Sequence, residues 1–306
     1  MTPTGNRVAR LLILGWHNVE GTWGFPALPG AGPRGIGRQL RTLSRWASVV
    51  PLGWALERLQ SGSGLPPRSV AITFDDGYSD NLTLAVPLLE RLGLSATFFL
   101  VPGFLSGMAR PWWEDLASAV ATAKQATLDW DGTIYPLSDA RARSSTYASL
   151  TSHLQLRPSA ARRAALAELI DRLEPSQPLP DLMMGWDGAR ELVRRGFDVQ
   201  SHTMAHAVLS QETAGEQQND LRMARDRLER ELGIEVTTVA YPHGRAKHYN
   251  QDTLLAARLA GYRWGVTTRE GFSRPDTPSF ELRRCVMYPE RGVRDLLAQL
   301  RYLMRD

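Results

Sequence analysis

Short apolar runs alternate with amphipathic stretches along most of the chain. The runs are Leu11–Trp16, Ser48–Leu52, Val70–Phe74, Ala96–Val101, Phe197–Gln200, Thr237–Tyr241, Trp264–Thr267 and Arg283–Met287. A run that is apolar rather than alternating, such as Val70–Phe74, predicts a strand buried on both faces. Between the runs, Asn81–Leu92, Asp187–Arg195, Gln211–Leu232 and Asp252–Ala260 predict helices. Gly93, Gly196, Gly233 and Gly261 stand where those helices should stop. Repeated β–α alternation implies parallel strands with right-handed crossovers, in a barrel or a doubly wound sheet. At 306 residues such a barrel is normally one domain, so residues 1–306 are read as a single unit.

Three segments break the alternation. Glu20 to Gly37 is rich in glycine and proline and reads as an irregular rim. Ser61 to Arg68 reads as a short linker. Ser106 to Met184 is longer than one crossover needs, and its Pro158–Leu173 stretch predicts a helix. We expect an inserted helical segment there, about 106–184, able to shape access to a site. Trp112, Trp113 and Trp186 could stack on ligand rings, although large aromatics more often pack in a core.

The candidate chemistry gathers just after strands. Val70–Phe74 ends in Asp75-Asp76-Gly77, and two adjacent carboxylates at a buried strand end need compensation, for which a divalent cation is the usual answer. Capping of the helix near Asp80 would account for one carboxylate at most. His202 lies just past Phe197–Gln200 and His206 four residues later. Two neutral imidazoles and a carboxylate suit zinc and other first-row metals with positions left open.

Thr73-Phe-Asp-Asp-Gly77, Ser201-His-Thr-Met-Ala-His206 and Ala240-Tyr-Pro-His-Gly244, in that order and each after a strand, resemble the polysaccharide deacetylase family, the NodB-homology carbohydrate esterases. The resemblance implies a distorted (β/α) barrel. It implies a divalent metal held by Asp76, His202 and His206, with zinc the first expectation and cobalt, nickel or iron(II) the alternatives. It makes Asp75 the general base, gives the His243 backbone N–H an oxyanion role, and puts Tyr241 and Pro242 against substrate. Two departures stand out. Ala240 occupies the place where an arginine often begins the third motif, so the usual partner orienting the base is expected to be missing. Leu282-Arg-Arg284 replaces a Leu-x-His motif that carries the general acid. A subgroup acting on exopolysaccharides supplies that histidine from its first strand, and Leu11-Leu-Ile-Leu-Gly-Trp-His17 looks like that element, making His17 the candidate acid. His248 reads as a surface residue and His153 as one without a partner.

Composition narrows the partners. The net charge is +4, but the basic residues are almost all arginines spread among acids along helices, which is a solvated pattern; nucleic acid is not expected. Cys285 is the only cysteine, so no intrachain disulfide can form. Arg7, Arg10 and Leu11–Leu14 are too short a run for a leader, and no window approaches the ~20 apolar residues of a membrane span. A cytoplasmic location follows as an expectation, unless a leader was removed. The expected activity is removal of N-acetyl groups from an amino-sugar polymer, oligosaccharide or precursor. The alternatives are a non-catalytic carbohydrate-binding protein, a hydrolase of a non-sugar amide, and an iron oxygenase built on the same facial triad.

Overall fold

The computed structural model describes residues 9–28 and 30–303; Arg7 lies outside them. All eight apolar runs form strands of one parallel sheet. These are β1 (Leu12–Trp16), β2 (Ser48–Val49), β3 (Ser69–Asp76), β4 (Thr97–Leu100), β7 (Asp198–Ser201), β8 (Thr238–Ala240), β9 (Trp264–Val266) and β10 (Arg284–Val286), while β5 (Thr127–Trp130) and β6 (Thr133–Pro136) pair as a separate hairpin. The order is β10-β1-β3-β4-β7-β8-β9, with β2 beside the first residues of β3. Leu282, two residues before β10, bridges Val266 of β9 in parallel and brings the ring nearly to closure. The expected distorted barrel is the fold.

Burial explains why β3 lacks alternation: all eight of its residues are buried, between the barrel interior and the surrounding helices. Leu11, Ile13, Ala71, Phe99, Ala240, Val266 and Leu282 fill the interior, with Leu52, Ala55 and Leu56 of α2 (Leu52–Ser61) packed against them. The outer layer holds Leu12, Leu14, Ile72, Phe74, Phe98 and Val239 under α1 (Ala31–Trp46), α3 (Val86–Leu92), α8 (Trp186–Arg194), α9 (Ala214–Leu232) and α10 (Gln251–Leu259). The last helix is α11 (Gly292–Leu303). Gly93 and Gly233 cap α3 and α9 with φ of 62° and 64°, conformations that favour glycine.

Between β4 and β7 the chain builds α4 (Pro102–Leu105), α5 (Trp112–Thr122), the β5–β6 hairpin, α6 (Ala140–Gln155) and α7 (Ser159–Leu173) around their own apolar cluster. The end of this excursion returns to the first motif, where Met184 N–H donates to Gly77 O at 2.9 Å. One expectation is corrected here. The Glu20–Gly37 stretch is not irregular throughout, because α1 starts at Ala31. Its glycines serve close packing: a Cβ on Gly32 would lie 1.6 Å from Val19 O, and one on Gly35 1.8 Å from Pro289 O.

Candidate active site

The first-motif carboxylates sit at the C-terminal end of β3, where barrel enzymes place their chemistry. Asp75 belongs to the inward-facing set of β3 with Ala71 and Thr73. Asp76 leaves the strand with φ of 71°, and Thr203, His206 and His243 also adopt left-handed backbone, with φ of 64°, 54° and 60°. Each such non-glycine residue costs about 1–2 kcal/mol, and strain of this kind concentrates at functional sites.

Asp76 Oδ1 lies 3.3 Å from His202 Nε2 and 3.3 Å from His206 Nε2. It is buried and has no hydrogen-bond partner within the described residues. Donor atoms around a tetrahedral zinc, at metal–ligand lengths near 2.0–2.2 Å, stand roughly 3.3–3.6 Å apart, so the three residues fit an ion. His202 Nδ1 faces Ala240 O at 2.8 Å. A proton on Nδ1 satisfies that contact and frees the Nε2 lone pair. Trp113 lies against His206 with ring centroids 4.6 Å apart. Asp220 of α9 accepts the Met204 N–H at 2.8 Å and so shapes the turn between the two histidines.

Asp75 is clamped. Arg284 Nη1 donates to its Oδ1 and Nη2 to its Oδ2, both at 2.7 Å, and Nη1 also reaches Thr73 Oγ1 at 3.2 Å. Burial alone would push the Asp75 carboxyl up, but the Arg284 guanidinium, aided by His202 and His17, holds it below the usual carboxylate range. The third-motif arginine is absent, as Ala240 implies, but Arg284 stands in for the partner. The arginine comes from β10, from the place where the absent Leu-x-His motif would lie. Gly15 gives it room, since a Cβ there would stand 3.1 Å from Arg284 Cδ.

His17 Nε2 lies 3.8 Å from Asp75 Oδ2, and its ring stacks on Phe25. The fully buried Glu114 fixes the segment carrying Phe25, accepting from Thr22 Oγ1 at 2.7 Å, Gly24 N–H at 2.9 Å and Tyr78 Oη at 2.9 Å. Tyr78 Oη in turn accepts from Trp113 Nε1 at 2.9 Å. Burial, outweighing its three hydrogen bonds, pushes the Glu114 carboxyl above its ordinary value. Nothing in the sequence marked Glu114, Tyr78 or Asp220, which carry no motif.

Around this centre lies a cavity of about 870 Å³ lined by His17, Phe25, Asp75, Asp76, His206 and His243, among others. Trp112, Trp113, Tyr147, Thr151 and Gln155 of the β4–β7 excursion also border it. Tyr241 and Pro242 do not line it. The Tyr241 ring is fully buried in the outer layer, stacked on Tyr249, so its expected substrate contact is corrected. His248 is buried at 5 % exposure, not a surface residue, and His153 meets the Trp130 ring edge-on. Trp186 lies outside the cavity, beneath Arg227. Burial drives the His243 imidazole well below its ordinary value, with His206 and His248 adding to the effect.

A family model described as polysaccharide deacetylase matches residues 62–265. The Bacillus subtilis (strain 168) protein YxkH, whose name assigns it provisionally to the polysaccharide deacetylases, is 23% identical over 222 residues. The match covers 72% of this chain and 52% of that protein, so the chain spans about half the length of this curated relative. Among solved structures, the Streptococcus pyogenes deacetylase PplD in complex with acetate superposes with a TM-score of 0.63 at 18% identity, over 95% of this chain and 98% of its own. IcaB from Ammonifex degensii gives 0.60 at 18% identity, over 97% and 98%. At these identities the structural likeness speaks to the barrel.

Proposed function

The chain belongs to the polysaccharide deacetylase family, and from that premise we propose that it is a metal-dependent hydrolase removing N-acetyl groups from an amino-sugar substrate. One observation carries the reading. Asp76 Oδ1, buried and unpartnered between two imidazole nitrogens, adjoins a second carboxylate that an arginine keeps ionised. Asp76, His202 and His206 are the holders of the ion. When bound, a divalent ion of the zinc type activates water and polarises an amide carbonyl.

The chain's own residues supply the rest. Asp75 Oδ2 takes the proton of the attacking water, and the two Arg284 bonds fix its plane and keep it ionised. His17 Nε2 delivers a proton to the departing sugar nitrogen, leaving acetate and a free amine. The His243 backbone N–H, which meets no acceptor within the described residues, donates to the carbonyl oxygen as negative charge develops there. Such a donor is worth ~3–4 kcal/mol in the transition state.

The test is acetate release from N-acetylglucosamine oligomers. We expect turnover that a chelator abolishes and that zinc, cobalt or nickel restores. Asp75→Asn should lower kcat by about 10²–10⁴ while the chain still binds its ion. A metal-loaded chain that binds polymer, oligosaccharide and nucleotide sugar yet releases acetate from none is a binding protein, and the proposal fails.

A further inference from the structure

One wall of the cavity is rich in donors. The loop after β8 contributes His243, Arg245, Lys247 and His248 to it. His248 Nδ1 accepts the Arg245 backbone N–H at 3.3 Å, so the neutral ring carries its proton on Nε2. His243 Nδ1 faces the Gln155 amide nitrogen at 3.0 Å. With the amide placed so, its nitrogen donates and the His243 proton is on Nε2 as well. Both Nε2 atoms are buried and have no partner within the described residues. A buried donor left unpaired costs about 1–3 kcal/mol, and two along one wall call for a ligand that brings acceptors. Arg245 and Lys247 add two full positive charges, and neither side chain enters an ion pair within the described residues. Apart from Asp75 and Asp76, Glu270 is the one acid among the cavity-lining residues. The His243 ring lies 5.2 Å from the His206 ring and 5.1 Å from that of His248, so the wall begins beside the proposed reacting centre.

We propose that this loop binds an oxyanion, a carboxylate or a phosphate, carried by the substrate next to its N-acetyl group. The preferred substrate class is then an acidic N-acetylated glycan or a phosphorylated precursor, with a neutral oligomer turned over less efficiently. The substrate assignment rests on the deacetylase reading; the anion site does not. Three probes separate the cases: an N-acetylglucosamine tetramer, a tetrasaccharide alternating N-acetylglucosamine with glucuronate, and N-acetylglucosamine 1-phosphate.

At low salt, kcat/KM for an acidic probe should exceed that for the neutral tetramer by about tenfold, as expected of hydrogen bonds to a charged group. The ratio should shrink as salt rises. It should fall towards one in the Arg245→Ala, Lys247→Ala double variant and stay high in Lys247→Arg. The glucuronate and phosphate arms tell which oxyanion is taken. A wild-type ratio near one, or a ratio the double variant leaves unmoved, overturns the proposal. If no probe releases acetate, the deacetylase reading fails by itself, and calorimetric titration of the same probes decides the anion site. Tighter binding of an acidic probe that the double variant abolishes supports it; equal binding of acidic and neutral probes refutes it.

Discussion

Asp75 and Arg284 form a buried ion pair separated by 209 residues of sequence, with exposures of 2 % and 1 %. Removing one partner of such a pair leaves an uncompensated charge and costs about 3–5 kcal/mol. Arg284→Met should therefore lower the unfolding free energy by roughly that amount, read by denaturant titration. It should also move the acid limb of the pH–rate profile upward. The sign follows from burial, which alone raises the Asp75 carboxyl and is offset chiefly by Arg284. With the native Asp75 held low, its contribution to stability is present above the ordinary aspartate value and is lost only as pH falls through the depressed one. Tyr241 gives the opposite expectation. Its hydroxyl is buried without a partner within the described residues, so Tyr241→Phe should be neutral or slightly stabilising and should spare acetate release. Of the residues in the site, those inside motifs were legible, and Arg284 was legible only as a missing histidine. A bidentate contact across the barrel leaves no local periodicity or spacing to read.

At the scale of elements, α9 presents Asp220 to the turn that carries His202 and His206. Its partly buried carboxyl is pushed up to about 6 by burial, against the pull of the Met204 and Ala205 N–H groups. A raised carboxyl contributes stability that is complete below pH ~4 and lost as pH rises through 6, here about 3 kcal/mol. Asp220→Asn keeps an acceptor for the turn and cannot ionise. Its stability should therefore rise relative to the wild type between about pH 4 and 6 and stay higher above that, measured as a difference of the two unfolding curves. The strands were legible because runs buried on both faces have no polar phase to obscure them. α1 was not, because the glycines that let it approach Val19 and Pro289 read as loop residues. The β4–β7 excursion was legible in extent but not in content, since the β5–β6 hairpin lies within what reads as a helical insertion.

For the whole molecule, the proposed ion favours the native barrel over the unfolded chain, where Asp76 lies far in sequence from the His202–His206 pair. At a free zinc concentration a hundredfold above its dissociation constant, linkage adds about 2.7 kcal/mol to unfolding. Differential scanning calorimetry should show a higher Tm with zinc than with chelator, and Asp76→Ala or His202→Ala should abolish the difference. Among the described residues no helix is long and apolar enough to cross a membrane. The barrel meanwhile is shut by little. β9 and the approach to β10 share the Val266–Leu282 bridge, flanked by Thr267 N–H to Leu282 O and Leu282 N–H to Gly265 O, much as β7 and β8 share the single Ser201–Val239 pair. That seam lies two residues from the guanidinium that grips Asp75. If the seam unzips on warming, β10 is left held by its β1 ladder alone and the grip of Arg284 on the proposed base slackens, so acetate release should fail while most of the helices are still wound.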